Sequence, residues 1–177
     1  MPEFALLLIL ELGNATTHSA TFRKEQQMFY QANDIRLAYD DEGAGIPLVF
    51  LHAFPLNRSM WKAQVTALSS RFRTIAIDLR GHGESDAPLW SFSLDQYADD
   101  VAALLDHLGI PHAVLVGLSM GGYVSLAFSR KYGGRLRALV LADTRARADT
   151  LEGRTGRFQL AQTAYTQGTE AVANTML

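Results

Sequence analysis

Short apolar runs alternate with amphipathic segments along most of this 177-residue chain. From residue 27 onward the runs have the length and composition of buried strands, and the segments between them carry apolar residues at helical spacing. The predicted strands, in chain order, cover residues 28–31, 35–39, 47–51, 72–77, 112–116 and 136–142. The predicted helices cover residues 58–69, 94–107 and 123–132. This alternation predicts an α/β fold with a mostly parallel sheet and helices on both faces.

Local signals support two of these elements. Asn33-Asp34 is a turn-prone pair between the first two strands and predicts a hairpin. Ser93 and Gln96 form a capping-box pattern at the start of the helix that ends near His107. The apolar positions of this helix predict an inner face made of Leu94, Tyr97, Ala98, Val101, Leu104, Leu105 and Leu108.

Both ends of the chain depart from the alternating pattern. Residues 1–26 contain one apolar stretch, residues 4–10, with acidic flanks and no basic residue before it. This is a poor signal peptide and is too short to cross a bilayer, so we expect a poorly ordered N-terminal extension. Residues 145–177 hold no β-rich run, and we expect them to form two amphipathic helices.

Composition excludes several classes of function. The formal net charge of −2 argues against a nucleic-acid binder, which should carry a basic face. The absence of cysteine excludes a disulfide framework, a cysteine-ligated zinc site and a thiol nucleophile. We therefore expect no nucleic-acid partner, and the poor match of the N-terminal stretch to a signal peptide predicts a cytoplasmic protein without a membrane partner.

The stretch from Gly117 to Gly121 reads Gly-Leu-Ser-Met-Gly and fills a G-x-S-x-G pattern. It directly follows an apolar strand and precedes a helix, which is the context of a nucleophile elbow. There a tight turn exposes the serine hydroxyl at the sheet edge, and the two glycines let strand and helix pass without Cβ clashes. The alternative is that Ser119 merely caps the following helix, since serine is a good N-cap residue.

Three further motifs stand at the ends of predicted strands, in a regular order with the elbow. They are Leu-His-Ala-Phe-Pro at 51–55, Asp-Leu-Arg-Gly-His-Gly-Glu-Ser at 78–85 and Leu-Val-Leu-Ala-Asp-Thr at 139–144. With these four motifs the chain resembles the α/β-hydrolase family, on its esterase, lactonase and perhydrolase side. The resemblance covers roughly residues 27–177. It implies a core in residues 27–144 and the start of a helical cap in residues 145–177.

The resemblance also implies the chemistry of the site. Ser119 is the expected nucleophile toward a small-molecule carboxylic ester or lactone, and no cofactor is expected. The backbone N–H groups of Phe54 and Met120 are the expected oxyanion donors, although Ala53 stands where the family usually has glycine. A perhydrolase or a C–C bond hydrolase would use the same nucleophile.

Two histidines near these motifs are expected to support loops rather than to take the serine proton. They are His52 and His82, and Asp78 is likewise expected to anchor the turn of residues 80–85. No ligand spacing in the sequence predicts a metal site.

The remaining members of a catalytic triad do not follow. In the family the order is serine, then an acid, then histidine, yet the last histidine of this chain is His112. The acids after Ser119 are Asp143, Asp149, Glu152 and Glu170. Asp143, at the end of a strand, is a weak candidate for the acid, so the acid is unassigned and no base is present.

We therefore expect the sequence to be the N-terminal part of a longer serine hydrolase, truncated before the last two strands and inactive alone. A non-catalytic binding protein with the same fold is the alternative. Without further strands, the strand at 136–142 would be an exposed apolar edge, which predicts self-association.

Overall fold

The computed structural model describes residues 27–176, which form six strands and five α-helices. The strands are β1 (Gln27–Ala32), β2 (Ile35–Gly43), β3 (Pro47–Leu51), β4 (Arg73–Ile77), β5 (Ala113–Leu118) and β6 (Leu136–Ala142). The helices are α1 (Lys62–Leu68), α2 (Leu94–His107), α3 (Met120–Tyr132), α4 (Leu151–Gln167) and α5 (Thr169–Met176). The expected extension, residues 1–26, lies outside the described residues.

The six strands form one sheet in the order β1-β2-β4-β3-β5-β6. β1 and β2 are the predicted hairpin, and β2 pairs antiparallel with β4. The other three pairings, β4 with β3, β3 with β5 and β5 with β6, are parallel. The C-terminal ends of β3, β4, β5 and β6 therefore lie at one edge of the sheet, and all four sequence motifs meet there.

Helices cover both faces of the sheet, as predicted. On one face, α2 and α3 share an apolar cluster with alternate strand residues such as Val49 and Ile75. On the other face, Phe50 and Ala76 pack against Val65 of α1. Each central strand is thus buried on both sides, which explains why its sequence is a continuous apolar run.

Two predictions about the helices were wrong in detail. The predicted helix at residues 58–69 begins as a 3₁₀ turn, Arg58–Trp61, before α1. α2 has the predicted capping box, but Leu94 in its predicted inner face is 42% exposed. Asp100 is buried on the inner face of α2, because it pairs with the buried Arg80. Hydropathy alone cannot predict the burial of a charged residue.

Residues beyond the core form a separate compact unit. The chain divides between Arg145 and Ala146, and the second unit consists of α4 and α5. Two helices were predicted in this region and two are present. The expectation that both are amphipathic was wrong for α4. Its apolar and polar residues do not lie on separate faces of the helix, and none of its residues is buried.

Within residues 27–176, no helix combines the length and the apolarity that a bilayer crossing requires.

Candidate active site

Ser119 lies at the sharp turn between β5 and α3. Its backbone angles are φ 49° and ψ −108°, a region that residues with a side chain rarely adopt. A residue held there costs roughly 1–3 kcal/mol and persists only where its surroundings enforce the conformation. Although Ser119 occupies the N-cap position of α3, its side chain makes no capping hydrogen bond. The alternative interpretation, in which the hydroxyl serves the helix, therefore finds no support.

The two glycines of the motif have the role predicted from the sequence. A Cβ on Gly121 would fall on the carbonyl oxygen of Leu51, at the end of β3. A Cβ on Gly117 would lie 2.6 Å from Oγ of Ser125, one helical turn into α3. The start of α3 is thereby pressed against the ends of β5 and β3.

This close approach brings the predicted oxyanion donors to the same edge. Phe54 is in the loop after β3 and Met120 is the first residue of α3, whose N–H has no partner within the helix. Within residues 27–176, no hydrogen bond is found from either N–H group. Both N–H groups therefore lack a partner within the described chain, and an oxyanion donor must have its N–H unoccupied; their role as donors stays a prediction.

The ring of His52 is fully buried and both of its nitrogens face backbone groups. Nε2 accepts the N–H of Leu79 at 3.0 Å, so the proton resides on Nδ1, which lies 3.0 Å from the carbonyl oxygen of Ala53. Burial, assisted by the neighbouring His82, lowers the pKa of His52 to about 4. His52 is therefore a neutral link between the loop after β3 and the loop after β4.

His82 continues this support toward the surface. Its Nδ1 is 3.0 Å from the carbonyl oxygen of Arg80, and its ring packs edge-on against the rings of His52 and Phe54. Both histidines thus contact loops and neither has a bond to Ser119, in agreement with the role expected for them.

Asp78 anchors the turn that follows β4, as predicted. Its carboxylate accepts the N–H of Glu84 at 2.9 Å, and its carbonyl accepts the hydroxyl of Ser85 at 2.6 Å. Its main partner, Arg58, was not predicted, and the guanidinium of Arg58 pairs with Asp78, Asp40 and Glu84. An arginine at the start of a predicted surface helix carries no sequence signal for such a bridge.

The candidate acids are spread over both units. Asp143 follows β6, is exposed and has a positive φ of 39°. Asp149, Glu152 and Glu170 belong to the second unit. Of the expected triad, the described chain therefore contains the candidate nucleophile, Ser119, while the acid stays unassigned.

Comparisons with known proteins identify the family of the chain. A family model of the alpha/beta hydrolase fold matches residues 46–171. The structure of a thermophilic esterase from Thermogutta terrifontis superposes with a TM-score of 0.80 at 44% identity, covering 85% of this chain and 57% of that one. The 3-oxoadipate enol-lactonase 2 of Acinetobacter baylyi is 35% identical over 81% of this chain and 54% of its own length. A non-heme chloroperoxidase, CPO-A1 of Kitasatospora aureofaciens, is 41% identical over 60% of this chain and 40% of its own.

The fold and the elbow define a hydrolase-type α/β protein. The chain belongs to the α/β-hydrolase family. It spans about half the length of the relatives that it matches.

Proposed function

We propose that Ser119 is the nucleophile of a serine hydrolase that cleaves small-molecule carboxylic esters or lactones through an acyl-enzyme. The proposal rests on the strained turn at Ser119, whose hydroxyl makes no capping hydrogen bond, at the sheet edge where the loop of Phe54 and the first residue of α3, Met120, also lie. The similarity to an esterase and to an enol-lactonase supports this substrate class.

The proposed reaction follows from these groups. Oγ of Ser119 attacks the substrate carbonyl while a base takes its proton, and the oxyanion accepts hydrogen bonds from Phe54 and Met120. Collapse of the tetrahedral intermediate expels the alcohol, or opens the lactone ring, and leaves an acyl-serine. Water then attacks the acyl group, which releases the acid and restores the hydroxyl.

The base is the missing component. His52 cannot serve, because both of its ring nitrogens are engaged with backbone groups, and no histidine follows Ser119. A free serine hydroxyl is a poor nucleophile. We therefore propose that the 177-residue chain alone has negligible turnover.

Covalent labelling with a fluorophosphonate probe tests this function. The chain alone should label slowly, and excess imidazole, acting as a dissolved base, should accelerate labelling. Ser119→Ala should abolish the labelling, whereas Ser91→Ala, at an exposed serine outside the four motifs, should not change it. Labelling that survives Ser119→Ala, or that imidazole fails to accelerate, would contradict the proposal.

Three other functions can be distinguished from this one by experiment. The chloroperoxidase relative favours a perhydrolase, in which hydrogen peroxide rather than water attacks the acyl-serine. Formation of a peracid from an ester and hydrogen peroxide would identify a perhydrolase. Cleavage of a carbon–carbon bond in a diketone would identify a C–C bond hydrolase. A non-catalytic binding protein would show ester or lactone binding without any labelling of Ser119.

A further inference from the structure

The strained conformation of Ser119 is held by contacts on both sides of its peptide unit. Its N–H donates to the carbonyl oxygen of Ala142, at the end of β6, at 3.0 Å. Its carbonyl oxygen accepts the N–H groups of Gly122 at 3.0 Å and Tyr123 at 3.3 Å, as in any helix start. The same oxygen also accepts the hydroxyl of Thr144 at 2.8 Å.

Thr144 is distant in sequence, 25 residues beyond Ser119. It reaches the elbow because the chain bends immediately after β6, where Asp143 has a φ of 39°. A positive φ at a non-glycine residue is costly and needs local compensation. The residues on either side of Asp143, Ala142 and Thr144, thus each form one hydrogen bond with Ser119 and connect the end of β6 to the strained turn.

Packing at the same point is equally close. A Cβ on Gly122 would lie 2.5 Å from both Cβ and Cγ2 of Thr144. The second glycine of the Gly121-Gly122 pair is therefore required by the side chain of Thr144, whereas Gly121 is required by β3. The threonine occupies the space that a side chain on the first turn of α3 would need.

We infer that Thr144 is a positioning residue for the nucleophile. Its hydroxyl fixes the carbonyl of Ser119 while Ala142 fixes the N–H, so that the serine side chain is left with rotation about χ1 alone. Loss of the hydroxyl leaves the Ser119 carbonyl held only by the N–H groups of α3, removes its restraint from the end of β6, and lets Oγ of Ser119 move with the backbone. The catalytic consequence rests on the proposed function, but the restraint itself does not.

The matched variants Thr144→Val and Thr144→Ser separate the hydroxyl from the methyl group. Nuclear magnetic resonance on the whole 177-residue chain would record the Ser119 Cα and Cβ chemical shifts, which report its backbone angles, and the exchange rate of its amide proton. Thr144→Val should move the shifts and raise the exchange rate about tenfold, the loss expected for one hydrogen bond. Thr144→Ser should leave both close to the values of the unaltered chain.

Unchanged Ser119 signals in Thr144→Val would overturn the inference. Ser119 signals that change equally in Thr144→Ser and Thr144→Val would also overturn it, because the packing of the threonine methyl group would then cause the change. If Thr144→Val fails to fold, Thr144→Ala compared with Thr144→Ser gives the same test, because only the serine variant keeps the hydroxyl. Thr144→Ala should change the Ser119 signals and Thr144→Ser should not, and equal signals in the two variants would refute the inference.

Imidazole-assisted fluorophosphonate labelling of the same variants separates this inference from the proposed function. If the unaltered chain labels at Ser119, Thr144→Val should label about tenfold more slowly and Thr144→Ser at nearly the full rate. If the unaltered chain never labels, the proposed function is wrong, and the resonance data still decide the role of Thr144.

Discussion

The guanidinium of Arg80 and the carboxylate of Asp100 form a bidentate ion pair inside the core. Nε and Nη2 of the arginine lie 2.6 Å and 2.7 Å from the two carboxylate oxygens, and the side chains are 1% and 3% exposed. The side chain of Asn33, in the β1–β2 turn, donates to the same carboxylate at 2.9 Å. The pair therefore ties the loop after β4, which supports the candidate active site, to α2 and to the hairpin.

Removing one member of this pair should be costly. Asp100→Ala leaves a buried guanidinium without its main partner and should lower the free energy of unfolding by about 3–5 kcal/mol. Asp95→Ala is a matched control on the same helix, because Asp95 pairs with Arg130 at the surface and should cost at most about 1 kcal/mol. Urea denaturation measures both values, and equal losses would contradict this account of the pair.

His52 should make the protein sensitive to acid. Its pKa is about 4 in the folded chain and near 6.5 when unfolded. Below pH 6.5 the unfolded chain binds a proton that the folded chain cannot accept until about pH 4. Stability is therefore full above pH 6.5 and should fall by roughly 3 kcal/mol as the pH drops through 4.

The contribution of His52 can be isolated by comparing variants. Denaturation between pH 7 and pH 4 should show a smaller loss for His52→Asn than for the unaltered chain. His112→Gln, at an exposed histidine, should retain the full loss. The same pH dependence in His52→Asn as in the unaltered chain would show that other groups cause it.

The close approach of α3 to β3 predicts a steric effect at Gly121. Gly121→Ala places a methyl group on the Leu51 carbonyl and should destabilise the fold by about 1–3 kcal/mol. It should also displace Met120 and slow the labelling of Ser119. Gly133→Ala is the control, since Gly133 has helical backbone angles, φ −54° and ψ −33°, and open space around it. Thermal unfolding should show that this variant is as stable as the unaltered chain or slightly more stable.

The edge of the sheet predicts self-association of the 177-residue chain. Among the described strands, β6 pairs only with β5, and Leu141 is 40% exposed. An apolar edge recruits further strands, and a lysine on it opposes such pairing. Sedimentation velocity should detect oligomers of the unaltered chain, and Leu141→Lys should dissociate them. The control Leu89→Lys, at a fully exposed leucine in a loop, should not. A monomeric unaltered chain would contradict this prediction.

Features set by neighbouring residues were predictable from the sequence. The strands Pro47–Leu51 and Leu136–Ala142 were predicted to the residue, because each is a continuous apolar run with a clear boundary. The requirement for glycine at 117 and 121 followed from the strand-turn-helix context.

Features that depend on residues distant in the chain were not predictable. Arg80 with Asp100, and Thr144 with Ser119, are separated by 20 and 25 residues, and each pair forms only once the sheet brings its members together. The inner face of α2 was predicted from its apolar residues, and a charged residue is expected to be exposed. The burial of Asp100 therefore could not be predicted from hydropathy.

The proposed role of Ser119 requires that its turn place a nucleophilic hydroxyl within reach of two backbone N–H donors. A crystal structure of the chain after imidazole-assisted reaction with a fluorophosphonate would show whether it does. We expect phosphorus bonded to Oγ of Ser119, with the phosphoryl oxygen about 2.7–3.1 Å from the backbone nitrogens of Phe54 and Met120. An adduct on another residue, or a phosphoryl oxygen turned away from both nitrogens, would contradict it.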